Sequence, residues 1–245
     1  NDIYQRNLAS SNVTQLYGNA SFETPNRVSI DNGDTTSLVT AHHILIATGG
    51  RPIVPTNVPG IEHTVSSDGF FDVPDLPRKA VVVGGGYIAV ELAGVLQALG
   101  TETSLVLRKH KALRTFDDML ADTLDREMLR QGIQIVRNSD GLARIEPTPS
   151  GKTVYLQNGQ HIDDVDTVIV ATGREPNVAD LNLENTGVTL NDKGYIEIDE
   201  YSETSAKGIY AVGDVVGMVE LTPTAIAAGR RLADGARIQE VMTKF

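Results

Sequence analysis

Residues 81–94, VVVGGGYIAVELAG, carry the spacing that most restricts what this chain can fold into. An apolar segment is followed by Gly84, Gly86 and Ala89, in the order of the G-x-G-x-x-G/A turn that joins a strand to a helix. In such a turn Gly84 makes the tight bend, Gly86 lets a ligand approach bare backbone, and Ala89 lets helix and strand pack closely. The pattern predicts a βαβ unit that binds a dinucleotide, with its pyrophosphate at the helix N-terminus.

The residues after the glycines favour the same interpretation over an empty strand-to-helix turn. Apolar side chains recur at the spacing of one buried helix face, at Ile88, Leu92, Val95 and Leu96. Gly100 is placed to end the helix, and residues 103–107 have the composition of a second strand. Strand, helix and strand follow one another as a dinucleotide-binding unit requires.

The second strand ends in cations where an NAD-binding domain usually carries an acid. A carboxylate about 20 residues after the glycines binds the ribose 2′-OH of NAD. Here the strand runs instead into Arg108, Lys109, His110, Lys111 and Arg114. Guanidinium groups match the geometry of a phosphate, so the pattern predicts NADP rather than NAD. The alternative is that the charge run is a solvated surface.

Composition excludes several classes of function. The net charge of −11 argues against a nucleic-acid partner. No run approaches the roughly 20 apolar residues of a membrane span, and no signal sequence opens the chain, so we expect a soluble, cytoplasmic protein with no membrane partner. The sequence contains no cysteine, which rules out disulfides, thiolate metal ligands and thiol nucleophiles on this chain.

Residues 16–51 and 141–174 share one layout. Each has short strands, a turn with Asn32-Gly33 or Asn158-Gly159, and an apolar strand that ends in Ala-Thr-Gly. We therefore predict, in each copy, an antiparallel meander that leads into a buried parallel strand. Only the second copy has a glycine fingerprint upstream, so we expect the chain to be a segment of a longer protein whose first fingerprint precedes residue 1.

Other segments extend the predicted α/β pattern. Residues 116–130 predict an amphipathic helix with Met119, Leu120, Leu124 and Met128 on one side. Residues 133–136, 195–198 and 208–212 predict strands, and residues 225–232 predict a helix. For the last helix Thr222 is the predicted N-cap. Asp214 follows strand 208–212, where ligands bind in open α/β sheets; the alternative is an aspartate that caps a turn.

Taken together, six segments resemble the flavin-dependent pyridine nucleotide-disulfide reductases. They are SSDGFF at 66–71, GGGYIAVELAG at 84–94, LRKHKALRTFD at 107–117, ATGREPN at 171–177, GIYAVGD at 208–214 and ELTPTAIAAGR at 220–230. The resemblance covers essentially the whole chain. It implies an α/β fold of the FAD/NAD(P)-binding Rossmann-like three-layer type, with a parallel sheet and an antiparallel meander. An NADPH domain, residues 50–174, would be inserted in an FAD domain formed by residues 1–49 and 175–245.

The resemblance also implies roles for individual residues. Contacts to FAD are implied for Ala20, Thr48, Gly49, Ser67, Asp214 and Thr222. Backbone contacts to NADPH are implied for Gly84, Gly85, Gly86, Ile88 and Gly173, and contacts to its 2′-phosphate for Arg108, Lys109 and Arg114. Tyr87 is similar to the aromatic gate over the flavin, and Glu91, one turn later, would lie near the nicotinamide.

The resemblance is strongest to the members that reduce glutathione disulfide as homodimers. Those enzymes pass a hydride from NADPH to FAD and then electrons to a cysteine pair, with a partner-subunit histidine as acid. The cysteine pair and the histidine would lie outside this chain, so we expect the chain by itself not to reduce glutathione disulfide. The alternatives are a mercuric reductase, a dihydrolipoamide dehydrogenase, a soluble transhydrogenase or a non-catalytic NADPH-binding module. A dihydrolipoamide dehydrogenase would carry an acid in place of Arg108.

Overall fold

The computed structural model describes residues 2–235, which form two compact units. The first unit is built from the chain up to Gly50 and from Glu175 onward, and the second is Arg51–Arg174. In chain order the strands are β1 (Asn19–Thr24), β2 (Arg27–Asp31), β3 (Thr36–Thr40), β4 (Ile44–Ile46), β5 (Gly50–Pro52), β6 (Val65–Ser66), β7 (Lys79–Val83), β8 (Glu102–Val106), β9 (Gln134–Val136), β10 (Leu142–Thr148), β11 (Gly151–Leu156), β12 (His161–Val165), β13 (Thr167–Val170), β14 (Arg174–Pro176) and β15 (Ile209–Ala211). The α-helices are α1 (Asp2–Ser10), α2 (Tyr87–Ala98), α3 (Asp118–Arg130) and α4 (Thr222–Ala233).

A parallel sheet in the order β6-β13-β7-β8-β9 is the middle layer of the second unit. Successive side chains of its central strand β7 point to opposite faces. Ala80 and Val82 pack on the side of α2 and α3, whereas Val81 and Val83 pack against the antiparallel sheet β10-β11-β12. Because both faces are covered, β7 is apolar along its length, as central parallel strands are.

The first unit contains the antiparallel sheet β1-β2-β3 and the parallel pair β4-β15. Phe22, Ile46, Ile209 and Val215 are among the side chains of its core. Each copy of the predicted repeat thus forms a three-stranded meander followed by a strand with a parallel neighbour. The α/β fold with a parallel sheet and an antiparallel meander is confirmed.

The predicted faces of two helices are wrong in part. In α2 the buried residues are Ala89, Leu92, Ala93 and Leu96, while Val95 is 46% exposed. Small residues occupy half of this face because the helix lies close to the sheet. In α3 the buried side is formed by Ala121 and Met128 with Leu124 partly buried, and Met119 and Leu120 are exposed. The helix begins at Asp118 rather than at residue 116, because the Asp117 side chain accepts a hydrogen bond from Met119 N and caps it.

The prediction of a strand at residues 195–198 is also wrong. Ile196 and Ile198 form isolated bridges to Leu190 and Thr204 instead of a continuous ladder. One backbone group of this segment bonds outside the predicted strand pairing, since Ile196 N donates a hydrogen bond to Val215 O at 3.0 Å.

Candidate functional site

The glycine turn after β7 has one glycine that the backbone requires. Gly84 has φ of +148°, and a Cβ there would lie 2.1 Å from the carbonyl oxygen of Ala171 and 3.1 Å from Cβ of Ala89. Ala89 itself is fully buried. The close approach of α2 to the sheet therefore depends on a missing side chain at position 84 and a small one at position 89, as the spacing predicts.

Gly86 differs from Gly84 because nothing in the fold demands a glycine there. It is the N-cap of α2, with extended backbone at φ −84° and ψ 175°, and a Cβ would meet no atom within 4 Å. No side chain caps the helix. The first N–H groups of an α-helix have no intrahelical acceptor, so this end of α2 presents such N–H groups and the positive end of the helix dipole.

The basic loop, residues 107–116, is fastened beside the glycine turn. Leu113 N donates to Gly85 O at 2.7 Å. Leu113 has φ of +49°, a conformation that is uncommon for a bulky side chain. The hydrogen bond and the packing of Leu113 against the helix-side core hold this backbone. The two loops at the ends of β7 and β8 therefore form one cleft wall.

The cations of the basic loop fall into three groups. Arg108 and Arg114 are exposed, and within residues 2–235 neither guanidinium forms an ion pair or a hydrogen bond. Lys109 Nζ lies 3.7 Å from Asp140 Oδ1. Lys111, with only 17% of its side chain exposed, pairs with Asp118 and Asp122 of α3. Lys111 thus fixes the loop to α3, whereas Arg108 and Arg114 have no such partner in the described part of the chain.

The Lys111 ion pair predicts a dependence of stability on pH. Its hydrogen bond lowers the pKa of Asp118 below 3.8 and raises the pKa of Lys111 above 10.5. A carboxyl whose pKa is depressed by folding stabilises the fold above its unfolded pKa, and that contribution is lost as pH falls through the folded pKa. We expect Asp118→Asn to lower the free energy of unfolding in urea at about pH 7 and to have no effect in strongly acidic solution.

Asp75→Asn is the control for that measurement. Asp75 is an exposed carboxylate in the same unit and has no ion pair within the described part of the chain. It should leave the free energy of unfolding nearly unchanged at every pH. If Asp118→Asn lowers the free energy of unfolding in strong acid as much as at about pH 7, the stabilising role of the Asp118–Lys111 ion pair is contradicted.

A cleft of about 720 Å³ lies against these loops, within the size range of small-molecule sites. It is lined by the glycine turn with Tyr87, by the basic loop, and by the loop after β9. The predicted residues that it brings together are Gly84, Gly85, Gly86, Tyr87, Arg108, Lys109 and Arg114. All belong to the second unit.

Three other residues predicted to contact the nucleotide do not line this cleft. Ile88 is partly buried against the helix-side core, and Glu91 is exposed one turn after Tyr87 on α2. Gly173 has φ of +150°, and its carbonyl oxygen accepts a hydrogen bond from Ile53 N at 2.9 Å.

The loop after β9 contributes three cleft residues that were not predicted from the sequence, Ser139, Asp140 and Gly141. Gln157, which follows β11, also lines the cleft. The carboxyl ends of parallel strands meet at one edge of a sheet. The turn-forming segment Asn138-Ser139-Asp140-Gly141 after β9 was the signal that could have found them.

Ser67, predicted to contact FAD, lies in the second unit just after β6. It is 5% exposed, and its hydroxyl donates to Asp68 Oδ1 at 3.5 Å.

The remaining predicted FAD residues lie in the first unit. Ala20 is exposed on β1. Thr48 Oγ1 donates to Asn177 O at 2.7 Å, and Gly49 O accepts from Asn177 N at 2.9 Å. These bonds tie the Ala-Thr-Gly segment after β4 to the chain that returns after residue 175.

Asp214 and Thr222 stand at the two ends of one loop. Asp214 is partly buried, and its carboxylate accepts no hydrogen bond within residues 2–235. Tyr195 crosses the loop: its ring packs on Gly217, and its hydroxyl donates to Glu220 Oε1 at 2.8 Å. This bond, with burial, raises the pKa of Tyr195.

The prediction that Thr222 is an N-cap is wrong. Leu221 occupies that position without a side-chain hydrogen bond, and Thr222 is the first residue of α4. Pro223 fits the first turn because a proline there gives up no helical hydrogen bond. The N–H groups of this helix end are therefore uncapped by a side chain, as at α2.

A metal-binding cluster and a membrane-spanning helix are both absent from the described residues. Between residues 2 and 235, no cluster of three His, Cys, Asp or Glu side chains is arranged to hold a metal ion. None of the helices there has the length and hydrophobicity of a membrane span.

Comparison with protein families identifies the family of the chain. A family described as pyridine nucleotide-disulphide oxidoreductase matches residues 2–229. The chain belongs to this family. The resemblance drawn from the six sequence segments is thereby confirmed, and so is the FAD/NAD(P)-binding type of fold.

Relatives in the family share the sequence and the fold over part of their length. Glutathione reductase of Schizosaccharomyces pombe is 43% identical over 236 residues, which are 96% of this chain and 51% of that protein. HOCl-induced flavoprotein disulfide reductase RclA of Escherichia coli is 28% identical with a TM-score of 0.86, covering 95% of this chain and 53% of that one. Its Cu(II) complex gives 28% and 0.88 with the same coverage. The chain thus spans about half the length of these relatives.

Proposed function

We propose that the second unit, Arg51–Arg174, binds NADPH and discriminates it from NADH. The observation that carries this proposal is the pair of unpartnered guanidiniums, Arg108 and Arg114, beside the uncapped N-terminus of α2. The N–H groups of a helix N-terminus and the positive end of its dipole fit a pyrophosphate. Two guanidiniums fit a further phosphate ester. No acid stands at the end of β8 to bind a ribose 2′-OH, since Leu107 and Arg108 follow it.

The open space at Gly86 supports the same proposal. A glycine that neither positive φ nor a close neighbour requires has a use if a ligand approaches its α carbon. Gly86 has this property and lies in the cleft beside the uncapped helix end. The residues present therefore fit a dinucleotide.

We further propose that the first unit contributes to an FAD site through Ala20, Thr48, Gly49, Asp214 and Thr222. Support comes from the free carboxylate of Asp214 and the uncapped end of α4, which offer an acceptor and donors at the two ends of one loop. When bound, FAD would accept hydride from NADPH. Thr222 N–H would then stabilise negative charge on the reduced ring, and Tyr195 would hold the loop between the two contacts.

For the whole protein we propose NADPH-dependent reduction of glutathione disulfide. Support comes from the 43% identity to the glutathione reductase of S. pombe. The 245 residues include no cysteine, so the redox-active thiols of such a reaction would have to lie outside them. The same absence favours the alternative, a non-catalytic NADPH-binding module.

Titration of the purified chain with NADPH and NADH tests the nucleotide proposal. Charge-assisted hydrogen bonds are worth about 1.5–3 kcal/mol each, so we expect NADPH to bind about 100-fold more tightly. Equal dissociation constants would refute it.

Flavin absorbance after incubation with FAD and gel filtration tests the first unit. If the chain retains flavin, the result supports the proposal that it is part of a flavoenzyme. If it retains no flavin but binds NADPH, the result supports the non-catalytic NADPH-binding module.

A further inference from the structure

Asp140 places a carboxylate in the cleft whose other charged residues are cations. It follows β9, has φ of +56°, and its side chain is 63% exposed. Its Oδ1 lies 3.7 Å from Lys109 Nζ. Exposed ion pairs of this kind are worth about 0–1 kcal/mol, so a stronger anion can displace the carboxylate from Lys109.

The backbone fixes this carboxylate relative to the basic loop. Asn138 N donates to Lys109 O at 3.1 Å, and both N and Oγ of Ser139 donate to Leu107 O, at 3.1 and 3.0 Å. On the other side, Gln157 N donates to Gly141 O at 2.9 Å. Asp140 therefore sits between anchored neighbours, and its charge acts on the cleft from a defined position.

We propose that Asp140 is a specificity-determining residue that limits the preference of the cleft for a 2′-phosphorylated adenosine. The inference rests on the proposed NADPH function. A phosphate that accepts a hydrogen bond from Lys109 Nζ lies within about 6.5 Å of Asp140 Oδ1, because charge-assisted bonds are short. At that distance a doubly charged phosphate repels a carboxylate enough to change affinity about fivefold at low salt.

NADH lacks the charge on which this repulsion acts. Its 2′-hydroxyl is neutral, so Asp140 weakens the binding of NADPH without weakening that of NADH to the same degree. Asp140 also competes with the 2′-phosphate for Lys109, which again weakens NADPH and not NADH. Arg108 and Arg114 thus produce the preference for NADPH over NADH, and Asp140 beside Lys109 reduces the size of that preference.

The test compares Asp140→Asn with the unaltered chain by calorimetric titration. The probes are 2′,5′-ADP and 5′-AMP, the adenosine ends of NADPH and NADH. Asparagine is among the side chains that adopt positive φ most readily, so the loop is preserved. The matched control is Glu146→Gln, an exposed carboxylate on β10 that pairs with Arg144 at 2.7 Å and does not line the cleft.

We expect Asp140→Asn to bind 2′,5′-ADP about fivefold more tightly at low salt, with 5′-AMP unchanged and the gain reduced at high salt. Glu146→Gln should change neither. If the unaltered chain prefers 2′,5′-ADP and Asp140→Asn leaves that preference equal or smaller, the role of Asp140 is refuted and the NADPH function stands. If the unaltered chain shows no preference, the proposed function itself is overturned.

Discussion

Either Arg108→Glu or Arg114→Leu is expected to remove most or all of the preference of the chain for NADPH over NADH. Each guanidinium is free to form charge-assisted hydrogen bonds to a phosphate, which are worth about 1.5–3 kcal/mol. Losing the hydrogen bonds of one guanidinium lowers the NADPH affinity by about 10- to 100-fold. In Arg108→Glu the reversed charge also repels the phosphate. NADH has no 2′-phosphate, so its affinity should stay within about twofold. Calorimetric titration with both cofactors measures the ratio.

Neither change should unfold the protein, because neither arginine has a partner to lose within residues 2–235. Arg126→Leu is the matched control. Arg126 is an exposed arginine of α3 whose Nη2 donates to Thr123 Oγ1 at 3.1 Å, and it does not line the cleft. A drop in NADPH affinity as large for Arg126→Leu as for Arg114→Leu would show that net charge, and not position, decides the preference.

Gly86→Ala is expected to weaken NADPH and NADH together while leaving the fold intact. The added methyl group meets no protein atom within 4 Å, and the backbone at φ −84° suits alanine. The methyl group would occupy the space in which we place the pyrophosphate. Displacing that group from the helix N–H donors costs bonds of about 1.5–3 kcal/mol each, so both affinities should fall by about 10- to 100-fold. Thermal unfolding should change little.

The same substitution two residues earlier should have the opposite signature. Gly84→Ala forces a methyl group to 2.1 Å from Ala171 O at φ of +148°, so it should destabilise the second unit by about 3 kcal/mol. Gly94→Ala, within α2 and with open space around its Cβ, should stabilise the helix by about 0.5–1 kcal/mol and leave binding unchanged. Wild-type binding of both nucleotides by Gly86→Ala would contradict the proposed position of the pyrophosphate.

Local patterns predicted the parts of this structure that depend on nearby residues. The turn at Gly84, the close packing of Ala89 and the end of α2 before Gly100 all follow from spacing, and the structure has them. The position of Arg108 and Arg114 beside the glycine turn follows from a general rule. Loops after adjacent parallel strands meet at one edge of the sheet.

Contacts between distant residues account for what the sequence could not predict. Five charges in residues 108–114 look alike in sequence, yet Lys111 is committed to Asp118 and Asp122, and Lys109 faces Asp140. The buried side of α3 consists of Ala121, Leu124 and Met128, whereas Met119 and Leu120 of its first turn are exposed. The turn signal at residues 138–141 indicates a loop after β9, but the contact of its Asp140 carboxylate with Lys109 depends on residues distant in sequence.

A crystal structure of the chain with NADP⁺ tests the central claim most directly. We expect the 2′-phosphate to lie between the guanidiniums of Arg108 and Arg114, at about 2.7–2.9 Å, with the pyrophosphate over Gly86 at the N-terminus of α2. A bound nucleotide whose 2′-phosphate touches neither arginine, while both point into solvent, would contradict the account.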